Sequence, residues 1–298
     1  MSEKLSDIPF QSDMVPAKLE LGSKLRFRCY KGISCFNACC KRADVTLTPY
    51  DIIRLKDNLG MGSSEFLKEH TVPFQIDQDG LPGVKLRTDD DGKCMFVTEE
   101  GCSVYADRPT ACRYYPLGHM AMRKSGEIHE ETHYFLVKEE HCKGHEEERE
   151  LSIQEYLKEQ ETGYYDEMNK EWLQIMLKKR SAGPSVGRPP ESTLQLFFMC
   201  SYDMDRLRRF VLSDAFKNSY DLEESVYQTL AQDDVPLMNF GTKFMKQAFF
   251  GERSIPEKDG AWEQRAKERE EVWEARRQVE IARARQLEEE KYMEQEGD

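Results

Sequence analysis

The chain has 298 residues, of which 33% are charged and 39% hydrophobic, and its net charge is −13. This acidity argues against a nucleic-acid-binding protein, because contact with a polyanion normally requires a basic face. No stretch approaches the roughly 20 apolar residues that span a bilayer, and residues 1–24 lack the apolar run of a secretory signal. We therefore expect a cytoplasmic protein that contacts neither nucleic acid nor membrane.

The first half of the chain predicts small, irregular elements. Residues 1–24 are a polar lead-in for which no regular structure is expected before the first cysteine. A helix is predicted to begin at Pro49, with Thr48 as its cap, and to end at Gly60. A shorter helix should follow Ser63 or Ser64, with Phe66 and Leu67 facing inward.

Strands are predicted after these two helices. Alternating apolar residues indicate strands at 72–76 and 83–88, separated by a turn at 79–80. A second turn at 89–92 should deliver Lys93–Val97 as a paired strand.

The second half predicts mainly helices. Ser152 and Glu155 have the spacing of a capping box, and the helix that they begin should run to about Arg180, bent at Gly163. Prolines and glycines mark residues 181–192 as a linker. Further helices are predicted at 194–212, 222–230 and 240–250, followed by a charged, solvent-exposed helix at 261–298.

Eight of the nine cysteines fall in one half of the chain, in four bursts. They are Cys29, Cys35, Cys39, Cys40, Cys94, Cys102, Cys112 and Cys142. In a reducing compartment, clustered cysteines are more often metal ligands or redox groups than disulfides. Eight thiols can fill two four-sulfur zinc sites, or hold an iron–sulfur cluster and leave ligands for a second centre. The ninth, Cys200, has apolar neighbours and is predicted to be a buried hydrophobe.

The spacing within the first burst limits how its thiols can be used. If residues 35–40 formed a helical turn, Cys35 and Cys39 would share one face and chelate one ion. Cys40 would then point about 100° away from Cys39. The adjacent pair is therefore better suited to serve two metal centres, or to supply one ligand and one neighbouring donor.

Other polar residues near the cysteines are weaker candidates. His145, close to Cys142, is the best of the histidines for completing a mixed site, although isolated histidines in polar segments are usually surface residues. Arg108 and Arg113 are suited to bind an anionic substrate or cofactor, but pairing with Asp107 or with the charge of the cluster is the preferred prediction. Basic residues within two positions of a cluster cysteine should favour deprotonated thiols. These residues are Arg28, Lys41, Arg42, Lys93, Arg113 and Lys143.

The cysteines belong to an ordered series of motifs. The series reads Cys-x5-Cys-x3-Cys-Cys from Cys29, Val-Thr-Leu-Thr-Pro-x-Asp-Ile from Val45, Cys-Met-Phe from Cys94, Cys-Ser-Val-Tyr-x-x-Arg-Pro-x-x-Cys-Arg-x-Tyr-Pro from Cys102, and Cys-x-Gly from Cys142. Over about residues 27–145 the chain therefore resembles the YkgJ-type cysteine-cluster family, whose domain is described as zinc- or iron-chelating. That family usually opens with Cys-x2-Cys-x2-Cys-Cys, so the longer gaps after Cys29 are a departure.

The resemblance implies metal chelation by the cysteines and no particular reaction. Combined with the predicted elements, it gives an α+β protein in which a small, irregular, cysteine-rich metal-binding domain is followed by a mainly α-helical C-terminal half. The predicted divisions are 1–24, the lead-in; 25–150, the metal-binding domain; 151–260, the helical region; and 261–298, the charged helix.

Two functions of different classes remain open. In the first, the protein is a metal-binding module whose zinc or iron is structural, stored, delivered or sensed, and whose C-terminal helices recruit a protein partner. In the second, it is an iron–sulfur-dependent redox or methyl-transfer enzyme, because flagellin lysine methylases look like relatives with a similar cluster. The sequence has no glycine-rich dinucleotide-type loop for S-adenosylmethionine, which favours the first function.

Overall fold

The computed structural model describes residues 14–41, 43–77, 80–123, 130–181 and 189–260, with a few isolated positions further on. Most of the predicted linker at 181–192 and nearly all of the predicted charged helix at 261–298 lie outside the described residues. Every helix within the described part is too short or too polar to cross a lipid bilayer.

Short strands dominate the first half and helices the second, as the predicted α+β class requires. The strands are β1 (Met14–Leu19), β2 (Lys24–Arg26), β3 (Thr71–Gln75), β4 (Pro82–Leu86), β5 (Val97–Thr98), β6 (Gly101–Cys102), β7 (Leu117–Arg123), β8 (Glu130–Val137) and β9 (Glu150–Ser152). The helices are α1 (Pro49–Leu59), α2 (Ser63–His70), α3 (Thr110–Tyr114), α4 (Ile153–Glu159), α5 (Thr162–Ser181), α6 (Glu191–Tyr202), α7 (Met204–Val211), α8 (Asp214–Lys217), α9 (Glu224–Gln232) and α10 (Asp234–Phe250).

The described strands form small antiparallel sheets. The largest has the order β1-β8-β7, and the others are the pairs β2-β9, β3-β4 and β5-β6. The pair β3-β4 confirms the strands predicted at 72–76 and 83–88. The pair β2-β9 joins the start of the cysteine-rich region to the segment that follows its last cysteine.

Local capping explains the helices that were predicted correctly. Thr48 Oγ1 accepts a hydrogen bond from the Asp51 N–H, and the Asp51 carboxylate accepts one from the Thr48 N–H, which completes the capping box of α1. Gly60 ends this helix in the left-handed conformation, with φ of 66°. Helix α2 begins at Ser63 itself, slightly earlier than predicted, and Phe66 is fully buried as expected.

Two strand predictions are wrong because distant parts of the chain decide the pairing. The lead-in contains β1, in which Met14 pairs with Val137 of β8. The segment predicted as the strand Lys93–Val97 forms only an isolated antiparallel bridge between Cys94 and Thr88, followed by a turn at residues 95–96, and the Cys94 N–H donates to the distant Cys40 carbonyl oxygen at 2.8 Å. The strand there begins only at Val97.

The long helix predicted from Ser152 is two helices. The capping box between Ser152 and Glu155 is present, but α4 ends before Glu161, which adopts a positive φ of 56°. Gly163, where a bend was expected, lies inside α5. The break is tied to a tertiary contact, since the Gln160 carbonyl oxygen accepts a hydrogen bond from Arg113 at 2.9 Å.

The helix predicted at 194–212 is also interrupted, at Asp203, between α6 and α7. The Asp203 carboxylate accepts hydrogen bonds from the Arg206 N–H at 3.0 Å and from the hydroxyls of Ser63 and Ser64 at 3.1 and 2.8 Å. This carboxylate therefore caps α7 and ties it to α2.

The hydrophobic core has two parts. The larger core combines residues of α1, β4 and the cysteine-rich loops with residues of α5 to α7, α9 and α10. The smaller core lies around β2, β7, β8, β9 and α4 and includes Leu25, Phe27 and Tyr156. The larger core thus takes side chains from both sides of residue 150, and the domain boundaries given above stay a prediction.

Candidate metal centre

All nine cysteines are free thiols in the structure. The eight clustered cysteines come from separate elements and loops, so their relative positions depend on contacts between remote segments.

The first and last cysteine motifs are held together by backbone hydrogen bonds. The Arg28 N–H donates to the Gly144 carbonyl oxygen at 3.0 Å, and the Phe27 N–H donates to the Arg149 carbonyl oxygen at 3.1 Å. The Lys143 N–H donates to Cys35 Sγ at 3.1 Å. These bonds extend the β2-β9 pairing and bring Cys29 and Cys35 to the segment that carries Cys142.

The adjacent cysteines lie in a short 3₁₀ turn, Ala38–Cys40, and their Sγ atoms are 3.9 Å apart. A helical turn over the whole of 35–40 does not form, because Asn37 adopts a left-handed conformation with φ of 65°. The Asn37 side chain donates to the Thr98 carbonyl oxygen at 2.9 Å, which holds this loop against β5. Cys35 and Cys39 therefore do not share a helix face.

The middle cysteines are positioned by three different elements. The backbone N–H of Cys94 is bonded to Cys40, as described above, and Cys102 lies on β6 opposite Val97. Cys112 lies on α3, whose first residue, Thr110, donates from its N–H and hydroxyl to the Asp51 carboxylate at 2.8 and 2.7 Å. Asp51 is fully buried. Its carboxylate therefore both completes the capping box of α1 and fixes the helix that carries Cys112.

Arg113, next to Cys112, is a structural residue. Its buried guanidinium donates to the carbonyl oxygens of Arg108 and Gln160 at 3.1 and 2.9 Å and to the Tyr165 hydroxyl at 3.0 Å. Arg108 itself donates to Gln160 Oε1 at 2.8 Å. The predicted pairing of Arg108 with Asp107 is therefore replaced by contacts to α4, and Asp107 accepts from Arg54 instead.

Most of the thiols are protonated at neutral pH in the metal-free protein. Burial, followed by the charges of other cysteines, raises the pKa of Cys29 to about 11. Burial is also the main cause that raises the pKa values of Cys94, Cys102, Cys112 and Cys142. The expectation that nearby basic residues favour thiolates is not met at these positions, because desolvation outweighs their charge.

Cys39 is the exception. Its thiolate accepts a hydrogen bond from the Cys40 thiol, which lowers the pKa of Cys39 to about 7 and raises that of Cys40. Among the cations, Arg108 lowers the pKa of Cys102, although burial outweighs this effect. A metal ion bound at most of these sulfurs must therefore displace protons.

The structure gives His145 a packing role. Its Nε2 lies 3.2 Å from the Val137 carbonyl oxygen, and its ring is 5.2 Å from the Phe27 ring between centroids. Burial lowers its pKa. Cys200 is buried in the larger core, as predicted.

Tyr115 lies near the Cys142 thiol, and no prediction from the sequence assigned it to the site. Its hydroxyl is buried and has no hydrogen bond of normal geometry among the described residues. Burial and the neighbouring Cys142 and Glu139 raise its pKa. The Tyr-Pro pair that follows Cys112-Arg113 in the motif was the signal for this position.

The thiols are neighbours without forming a closed coordination shell. Within the described ranges, no group of three or more Cys, His, Asp or Glu side chains is spaced closely enough to hold a metal ion. The donor chemistry nevertheless fits a soft or borderline cation, because thiolate sulfur is the preferred ligand of structural zinc and of iron–sulfur clusters.

Comparison with known proteins gives one match. Residues 28–143 match the family model CxxCxxCC, described as "Putative zinc- or iron-chelating domain". The matched range contains all eight clustered cysteines and excludes Cys200, and it confirms the family resemblance found in the motifs. No curated protein and no solved structure matches the chain.

Proposed function

Since residues 28–143 are a match to the zinc- or iron-chelating CxxCxxCC family, we propose that the protein chelates zinc or iron through its cysteine cluster. The proposed ligands are Cys29, Cys35, Cys39, Cys40, Cys94, Cys102, Cys112 and Cys142. The observation that carries the proposal is that backbone contacts bring thiols from remote segments together, since the Lys143 N–H donates to Cys35 Sγ and the Cys94 N–H donates to the Cys40 carbonyl oxygen. Several of these thiols are also close enough to raise one another's pKa values.

The bound cation would supply the positive charge that neighbouring thiolates in the cysteine cluster require. Deprotonating several neighbouring thiols in the absence of a cation is unfavourable, because burial and mutual repulsion both oppose it. A divalent ion removes both penalties, so its binding energy also stabilises the loops that carry the cysteines. We propose that binding draws the sulfurs together and releases protons.

The choice between zinc and iron is tested by purifying the full chain without oxygen and measuring zinc, iron and inorganic sulfide. A colourless protein with stoichiometric zinc supports a zinc module. A brown protein with iron and sulfide supports an iron–sulfur cluster and brings the redox or methyl-transfer function back into consideration. Absence of both metals, together with unchanged stability of Cys35→Ala and Cys39→Ala, contradicts chelation by this cluster.

The cytoplasmic location and the recruitment of a protein partner by the C-terminal helices stay predictions from the sequence. The packing of α5, α6 and α10 on α1 and β4 supports a role for these helices in holding the cysteine-rich region, since the two share one core.

A further inference from the structure

We infer that the eight thiols form two separate four-cysteine sites, each taking one zinc- or iron-class cation. The first set is Cys29, Cys35, Cys39 and Cys142, and the second set is Cys40, Cys94, Cys102 and Cys112. The inference rests on the proposed function, because it assigns ligands within the proposed cluster. It goes further by fixing the number of ions and the partition of the sulfurs.

The backbone connections divide the cysteines in this way. Hydrogen bonds from Arg28 to Gly144 and from Lys143 to Cys35 Sγ connect the segments of the first set to one another. A different bond, from the Cys94 N–H to the Cys40 carbonyl oxygen, connects segments of the second set. Cys102 lies eight positions after Cys94 in the sequence, on the second strand of the short β5-β6 hairpin.

The hydrophobic packing agrees with this division for four of the cysteines. Cys142 packs against the smaller core, which contains Phe27 and Tyr156. Cys94 belongs to the larger core, and Cys40 and Cys102 pack against it. One member of the first set and three members of the second therefore pack against different cores.

Cys39 and Cys40 mark the point where the two sets meet. Successive residues of a 3₁₀ turn point about 120° apart, so adjacent side chains are poorly placed to hold the same ion. Their 3.9 Å separation suits sulfurs that belong to neighbouring sites. Because Cys40 is connected through its backbone to Cys94 of the second set, Cys39 is left to complete the first set.

The experiment titrates reduced, metal-free, full-length protein with Zn²⁺ under anaerobic conditions and counts bound equivalents against a chromophoric competitor. We expect two equivalents for the wild-type protein and for the control Cys200→Ser. Zero equivalents overturns the proposed function itself. A single equivalent leaves metal chelation standing and overturns the two-site inference.

Double variants test the partition. Cys29→Ser/Cys142→Ser removes two ligands of the first set, and Cys102→Ser/Cys112→Ser removes two of the second, so each should retain one equivalent. Cys142→Ser/Cys112→Ser takes one ligand from each set and should lose tight binding of both equivalents. Equal stoichiometry for all three double variants overturns the partition.

A measurement on the wild-type chain avoids variants that fail to fold. At one added equivalent of Zn²⁺, thiols are alkylated and the modified cysteines are identified by mass spectrometry. Protection that rises together for the four members of a set, and independently of the other set, supports the inference. Protection that rises uniformly across all eight, or in groups that mix the two sets, overturns it.

Discussion

The backbone N–H of Lys143 donates a hydrogen bond to the sulfur of Cys35 at 3.1 Å, although 108 positions separate the two residues in the sequence. This bond joins the first cysteine motif to the last one. The contact therefore holds the segment that carries Cys142 beside Cys35.

Removing the metal should destabilise the protein strongly. Binding energy of a structural metal is also folding energy, so metal-loaded protein should unfold at a clearly higher temperature than chelator-treated protein. Thermal unfolding followed by circular dichroism, with and without a strong chelator, measures the difference. Re-addition of zinc or iron should restore the higher temperature, and an unchanged midpoint after complete metal removal would contradict the proposal.

The pH dependence of stability should have opposite signs in the two forms. Burial raises the pKa values of Cys94 and Cys112 above the ordinary 9.0, so folding favours their protonated thiols. Metal-free protein should therefore keep this contribution below about pH 9 and lose it as the pH rises through the folded pKa values.

Metal-loaded protein should instead lose stability as the pH falls, because protons compete with the cation for sulfur. Urea unfolding at a series of pH values measures both trends. As the pH rises into the alkaline range, the metal-free Cys112→Ser variant should lose less unfolding free energy than the metal-free wild-type protein. Parallel pH profiles for the loaded and metal-free forms would refute thiolate ligation.

Asp51→Ala should cost about 2–4 kcal/mol of unfolding free energy. The substitution removes the acceptor for the N–H groups of Thr48 and Thr110, so buried donors lose their partner and α1 loses its cap. Asp44→Ala is the control, because its exposed ion pair with Lys85 is worth at most about 1 kcal/mol. Urea unfolding of metal-free protein compares the two.

Asp51→Ala should also weaken zinc binding at the second set, because Thr110 is the first residue of the helix that carries Cys112. Competition titration should show one weakened equivalent and one unchanged. If both aspartate variants bind zinc as the wild-type protein does, Asp51 has no positioning role toward Cys112.

Gly144→Ala should destabilise the protein by about 1–3 kcal/mol. A Cβ at this position would lie 2.5 Å from the Phe27 ring and 3.0 Å from the Arg28 carbonyl oxygen, which pushes the Cys142 segment away from Cys29. Gly163→Ala is the matched control, because no atom lies within 4 Å of its added Cβ and the position is inside α5. That control should be neutral or stabilising by up to about 1 kcal/mol.

Zinc binding separates the effect of Gly144→Ala from a general loss of stability. The variant should weaken the equivalent bound by the first set and leave the second one intact. Equal weakening of both equivalents would indicate that the two sets do not respond independently to a displacement of Cys142.

The sequence by itself determined the features that depend on neighbours a few positions apart. The Thr48–Asp51 and Ser152–Glu155 capping boxes, the helix end at Gly60 and the strands around residues 72–88 all follow from such local rules. The order of the cysteine motifs also predicted the family-model match over residues 28–143, because residue identity and spacing are properties of the chain alone.

Only the tertiary structure decided which thiols are neighbours. Three features depend on contacts between residues that are far apart in the sequence or in different elements. They are the pairing of β1 with β8, the helix break at Glu161 and the backbone hydrogen bond between Cys94 and Cys40. Local periodicity carries no information about such contacts, since they stabilise the protein only when remote backbone groups form hydrogen bonds with one another. For the same reason the sequence did not predict that Asn37 is left-handed, so that Cys35 and Cys39 do not share the helix face that their spacing suggested.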